Sequence, residues 1–151
     1  MRLIYLMILL TLTVGDSPAT TPCPDSCRMD LVNGYFEALV RISKAGTPEE
    51  INALLALCHE DVKYEHLEYE ADFDRAAWHA AFTRNSERGV NNEPSNLQVK
   101  VLNHIHGKNH LAVAYAYGKV VDGVWHANEN GSLMALFGFK DGKILLVREY
   151  W

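Results

Sequence analysis

The stretch FGFKDGKILLVREYW, Phe137 to Trp151, reads as two β-strands folded back on one another. Asp141-Gly142 supplies the turn, because a two-residue hairpin turn needs positive φ at its centre and Asp-Gly meets that at little cost. On either side lie β-forming residues, Phe137 and Phe139 before the turn and Ile144 to Val147 after it. Working upstream, Asp122-Gly123 and Gly107-Lys108-Asn109 mark two more turns. They divide the second half of the chain into strands Leu97–His106, His110–Val121, Val124–Phe139 and Lys143–Trp151, a four-stranded antiparallel meander. Gly131 interrupts the long third strand, where a bulge or sharp bend lets the sheet curl.

The first half has a different period. From Met29 to Ser43, Leu31, Val32, Tyr35, Phe36, Leu39, Val40 and Ile42 recur at three- and four-residue steps, which predicts a helix with one buried stripe. Ala45-Gly46 ends it, and Thr47-Pro48-Glu49-Glu50 starts a second helix: a capping threonine, a proline in the first turn and a glutamate three residues after the cap. Asp61 to Tyr69 alternates as a strand, with Val62, Tyr64, His66 and Glu68 on one face. A third helix is predicted over Arg75–Arg84, capped by Asp74 and stapled by Phe73 and Trp78. Helix, helix, strand, helix, meander is an α+β plan that lays three helices on one face of a curved sheet.

The N-terminus stands outside this plan. Met1-Arg2, the apolar run Leu3 to Val14 and the small-residue exit at Gly15 have the layout of a secretory signal peptide, residues 1–15, with cleavage as late as Ala19 as the alternative. The run is too short to span a bilayer, which takes about 20 helical residues. Residues 16–27 form a Cys/Pro-rich segment, and residues 28–151 the folded domain. Secretion makes a disulfide the natural reading of the three cysteines. An antiparallel helix pair brings Cys58 toward the start of the first helix, so Cys58 is expected to pair with Cys27 or Cys23. A Cys23–Cys27 bridge would close only a very short loop. A net charge of −5 and no basic run longer than a pair argue against a nucleic-acid partner.

The element order, with DVKYEHLEY, FDRAAWHAAF and FGFKDGKILLVREYW, resembles the nuclear transport factor 2-like superfamily, nearest its SnoaL-like polyketide cyclase and ketosteroid isomerase branch. The resemblance covers about residues 28–151. It implies a cone: a curved mixed or antiparallel sheet, three N-terminal helices packed on its concave side, and an apolar pocket at the wide end. In ketosteroid isomerases a base on the first strand falls near His66 here. A tyrosine donor on the first helix falls near Leu39, one turn after Tyr35, and an acidic donor falls near Ala135, where this chain has no acid. Likeness to scytalone dehydratases touches His104 and Tyr64. The fold hosts many chemistries, so it does not fix the activity.

Among the residues themselves, His66 and Tyr64 share a strand face, and together they suit acid–base catalysis near neutral pH. Tyr35, Phe36, Trp78, Tyr115, Asn128 and Phe137 are expected to line the pocket. Asn130-Gly131-Ser132 is a glycosylation sequon, and a glycan on Asn130 is incompatible with Asn130 facing a pocket. His104 and His106, with His110 or His126, are spaced as strand ligands, but they cluster at turns without a supporting motif, and neither metal nor cofactor is expected. No GxSxG, P-loop or dinucleotide fingerprint occurs. Two functions follow: a secreted, cofactor-independent isomerase, dehydratase or cyclase acting on a small apolar molecule, or a non-catalytic secreted module of the same fold that binds a ligand or forms a homodimer.

Overall fold

The computed structural model describes residues 23–129 and 131–151, so the leader and the sequon asparagine Asn130 lie outside the described residues. Its elements run α1 (Asp25–Lys44), α2 (Pro48–Ala56), β1 (Cys58–His66), β2 (Ala71–Asp74), α3 (Arg75–Glu87), β3 (Leu97–His106), β4 (His110–Val121), β5 (Val124–Ala127), β6 (Leu133–Lys140) and β7 (Lys143–Glu149). The sheet order is β2-β1-β7-β6-β4-β3, with β5 also paired to β4. All pairs are antiparallel except β1–β7, whose parallel pairing joins the first strand to the last and makes the sheet mixed.

Local chemistry explains most boundaries. Thr47 and Glu50 form the reciprocal capping box at α2. The Asp74 carboxylate accepts the Ala77 N–H at 2.8 Å to cap α3. At the hairpin tips Asp122-Gly123 and Asp141-Gly142 all have positive φ, as the paired-turn geometry requires.

The stripe of α1 (Val32, Tyr35, Phe36, Ala38 and Ile42) joins Ile51, Leu54 and Leu55 of α2, Trp78 of α3 and the inward-facing strand residues Leu111, Val113, Tyr115, Ala135, Phe137, Ile144 and Val147 in one core. Each such side chain taken fully out of water contributes about 1.5–3 kcal/mol. Among the described residues no helix is long and apolar enough to cross a membrane.

Four expectations need correction. The helix read from Met29 begins four residues earlier, at Asp25, within the segment read as lying ahead of the domain. The first strand starts at Cys58 and ends at His66, where the chain turns into β2, a short edge strand whose ADFD sequence carries almost no strand signal. The long third strand is broken: Gly118 pairs with Ala127 and Tyr115 with Leu133, so five residues, 128–132, stand opposite two. That insertion interrupts a single line of pairing along one edge of β4.

The fourth correction concerns the disulfide. Cys23 bridges Cys27, and Cys58 is a free, buried thiol whose Sγ lies 3.6 Å from the Leu54 carbonyl. Helix length is the reason. With 20 residues α1 is about 30 Å long, while the nine residues of α2 span about 14 Å. The end of α2 therefore reaches only the middle of α1, where Leu57 packs against Gly34, and Cys58 stays far from the α1 start. Burial pushes the Cys58 thiol up to about 12, against weaker opposing pulls from Arg75 and Lys143. We expect the native protein to show no thiol reactive toward a maleimide at pH 7.5, and one per chain after unfolding without reductant. Labelling of Cys58 in the folded state, or three thiols on unfolding, would contradict this arrangement.

Candidate functional site

Along β7 the side chains alternate. Arg148 points outward and pairs with Glu65 on the outer face, while Val147 and Glu149 point inward. The Glu149 side chain is only 4% exposed, a burial that an ionisable carboxyl seldom has without partners. Two tyrosines meet it. The Tyr64 hydroxyl donates to Oε2 at 2.7 Å, and the Tyr115 hydroxyl donates to Oε1 at 3.2 Å. Tyr115 in turn accepts the Trp151 indole N–H at 2.6 Å. His66 Nε2 lies 4.0 Å from Oε2, and both ring nitrogens of His66 are buried without a hydrogen-bond partner among the described residues. The imidazole is held instead by the Tyr69 ring at 4.3 Å and edge-to-face by Trp151 at 4.6 Å.

Glu149 opens onto a cavity of about 150 Å³ between α1, α3 and the β1–β2 hairpin. Its wall includes Tyr35, Leu39, Tyr64, Phe73, Trp78 and Phe82. Tyr64 is stacked on Trp78 at 4.7 Å and lies parallel to Phe73 at 6.1 Å, so the α3 staple and the β1 tyrosine form a continuous aromatic side. Three larger surface grooves also occur: one between α1 and β3 is rimmed by Glu37, Arg41 and Lys44, one beside α2 and α3 by Glu60, Asp61 and Lys63, and one across β3, β4 and β6 is lined by His104, Ile105, Ala112, Ala114 and Met134. None is lined by a buried titratable group comparable to Glu149.

Electrostatics separates the roles. Burial raises the Glu149 carboxyl above its ordinary value of 4.5, with the hydrogen bonds from Tyr64 and Tyr115 and then the nearby His66 pulling the other way. Tyr35, Tyr64, Tyr115 and Tyr117 are all raised, by burial first and by Glu149 second, so they remain protonated donors at neutral pH. The Tyr35 hydroxyl feels its neighbours only through space and makes no hydrogen bond among the described residues.

The expected residues divide. Tyr64 and His66 do converge, on a carboxylate that sequence reasoning passed over. Tyr35 and Trp78 line the cavity. Phe36, Tyr115 and Phe137 are not on its wall and pack in the core: the Phe36 ring lies tilted against Tyr115 at 4.6 Å and meets Phe137 edge-on at 5.8 Å. Asn128 sits in the loop after β5, its backbone N–H bonded to the Tyr117 carbonyl at 2.8 Å, and is not part of the cavity wall. His104 and His106 are exposed neighbours on β3, with rings 4.9 Å apart. His126 is registered with Lys119, at the opposite end of β4 from His110, so the four histidines do not gather. Glu149 is registered against both His66 on β1 and Ala135 on β6. An acid thus stands on the adjoining strand, directly beside Ala135. The signal was present in the alternation Val147, Glu149, Trp151, which sets an acid on the buried parity of a strand.

No family model and no curated protein matches the sequence. Solved structures do match. A protein of unknown function from Burkholderia pseudomallei, described as NTF2-like, superposes with a TM-score of 0.55 at 14% identity, covering 83% of this chain and 90% of that one. The chain has the nuclear transport factor 2-like fold. A candidate ketosteroid isomerase from Kribbella flavida superposes on this fold with a TM-score of 0.54 at 18% identity, covering 83% of this chain and 78% of its own. An epoxide hydrolase of the LEH-like type from Mycobacterium tuberculosis gives 0.53 at 14% identity, covering 83% and 82%. Identities this low carry the architecture of the nuclear transport factor 2-like fold and leave its chemistry to the site.

A raised carboxyl has a consequence for stability. The folded state holds its proton to higher pH than the unfolded chain, so between 4.5 and the raised value the folded state binds more protons. Stability therefore falls as pH rises through that window. Urea unfolding from pH 4.5 to 8 should show this decline in the wild type and a flatter profile in Glu149→Gln; parallel profiles would show that Glu149 titrates normally.

Proposed function

We propose that this protein is a secreted, cofactor-independent enzyme that moves a proton on a small, largely apolar molecule bearing a carbonyl oxygen. The observation that carries the reading is the buried Glu149 carboxyl facing an aromatic cavity with Tyr64 hydrogen-bonded to it. A base of this kind works best when its affinity for a proton is raised toward the working pH, and burial acts in that direction. In the proposed step Glu149 takes a proton from the carbon beside the carbonyl. The Tyr35 hydroxyl donates to the oxygen on which negative charge develops, and Glu149 returns the proton at a second carbon. Tyr64 and Tyr115 hold the carboxylate in place. His66 is the group behind Glu149 to which a proton can pass after a small closing movement from 4.0 Å.

A cavity near 150 Å³ holds a ring of about six to ten heavy atoms. Secretion is supported by the leader-like N-terminus and by the Cys23–Cys27 bridge, a feature of oxidising compartments. A homodimer is part of the same proposal, supported by the exposed Ile105 and Met134 on the outer sheet face.

The test uses cyclic ketones and enones of that size. Native mass spectrometry scores retention, and NMR in D2O scores exchange of the protons beside the carbonyl, which needs no knowledge of the natural product. Retention with protein-catalysed exchange, slowed about 100- to 10,000-fold in Glu149→Gln while retention persists, is the expected result. Retention with no exchange in either protein would instead make this a non-catalytic binding module, and absence of retention would remove the cavity from consideration.

A further inference from the structure

The hydrogen-bond chain that ends on Glu149 has a direction. An indole N–H can only donate. With Trp151 Nε1 at 2.6 Å, the Tyr115 oxygen must accept from it, and the one Tyr115 proton is then left for the other neighbour, Glu149 Oε1 at 3.2 Å. The same cannot be said of Tyr64, at 2.7 Å from Oε2, whose hydroxyl has no second partner to orient it among the described residues. Tyr64 serves a carboxylate as donor or a carboxylic acid as acceptor equally well. Only the Trp151 branch distinguishes the two protonation states of Glu149. A hydroxyl that accepts one hydrogen bond is also polarised into a better donor for the next.

The Trp151 ring does a second thing. Its edge-on contact at 4.6 Å holds His66, with Tyr69 on that imidazole at 4.3 Å, so one residue braces both neighbours of the carboxyl. The groups facing Glu149 are Tyr35 from α1, Tyr64 and His66 from β1, and Tyr115 and Tyr117 from β4. None of these is a permanent cation. The ionised carboxylate is therefore held by donated hydrogen bonds and by whatever charge His66 carries.

We infer that Trp151 is a positioning residue that biases Glu149 toward its ionised, proton-accepting form by fixing the Tyr115 hydroxyl as a donor. The inference rests on the reading of Glu149 as the proton-transfer group, but it concerns the ligand-free protein and is testable there.

The experiment follows the Glu149 carboxyl carbon by NMR across a pH titration, with Glu149→Gln used to assign the resonance. Trp151→Phe keeps an aromatic ring against His66 while removing the indole N–H along with the five-membered ring; Tyr115→Phe removes the donor itself. The Glu149 midpoint should move upward by about half a unit in Trp151→Phe and by about one to two units in Tyr115→Phe. A Trp151→Phe titration that overlays the wild type, with a shift only in Trp151→Ala, would make Trp151 a packing residue and overturn the inference. Should Trp151→Ala fail to fold, the overlay of the phenylalanine variant decides alone. Any base-limited exchange measured as above should show its pH profile displaced in the same direction in Trp151→Phe. A shifted carboxyl titration without any turnover would leave the positioning role standing and remove the enzymatic one.

Discussion

A single ionisable group in the wrong solvent organises this molecule. An isolated carboxylate taken from water into an apolar interior is strongly disfavoured, so Glu149 can exist where it does only with donors brought to it. Those donors come from distant parts of the chain, Tyr64 from β1 and Tyr115 from β4, while Trp151, just beyond β7, donates in turn to Tyr115. The sheet must therefore pair its strands in the observed register for the carboxyl to be satisfied. A one-residue slip in β7 would turn Glu149 to the outer face and bury Arg148 in its place. The polar centre and the sheet topology specify each other.

The surrounding aromatics shape what that centre can do. Phe36 packs against both Tyr115 and Phe137 in the core beside the carboxyl. Tyr64, Phe73 and Trp78 form the side that remains open as a cavity. A low-dielectric wall strengthens the hydrogen bonds within it and keeps the tyrosines protonated. Packing and chemistry are in this respect one property of the same side chains.

Much of this was legible beforehand, and the exceptions share a cause. The helix caps and hairpin turns rest on contacts between residues two to four apart, and Thr47–Glu50, Asp74–Ala77 and Asp141-Gly142 appear where local chemistry puts them. β2 was missed because ADFD is strand only through its pairing with Lys63 to His66, a partnership no local preference reveals. The Cys58 pairing failed on a length comparison between α1 and α2. At the site, alternation correctly placed Tyr64 and His66 on one face. It carried the same information for Glu149, but an acid in a strand near a hairpin reads as a solvent-facing residue unless its parity is followed through to Trp151. Assigning Phe36, Tyr115 and Phe137 to a pocket wall failed because period alone cannot say where a cone is filled and where it is hollow.

The parallel pairing of β1 with β7 has a temporal side. Tyr64 and Glu149 are 85 residues apart in the chain, and among the described residues the strand that carries the carboxyl is the last element to be synthesised. Until it arrives, β1 and β6 each present an unpaired edge to the gap that β7 fills. Contacts so distant in sequence form late and slowly. The carboxyl thus arrives on the strand that joins the two parts of the sheet, and the centre is complete only once that strand has paired on both sides.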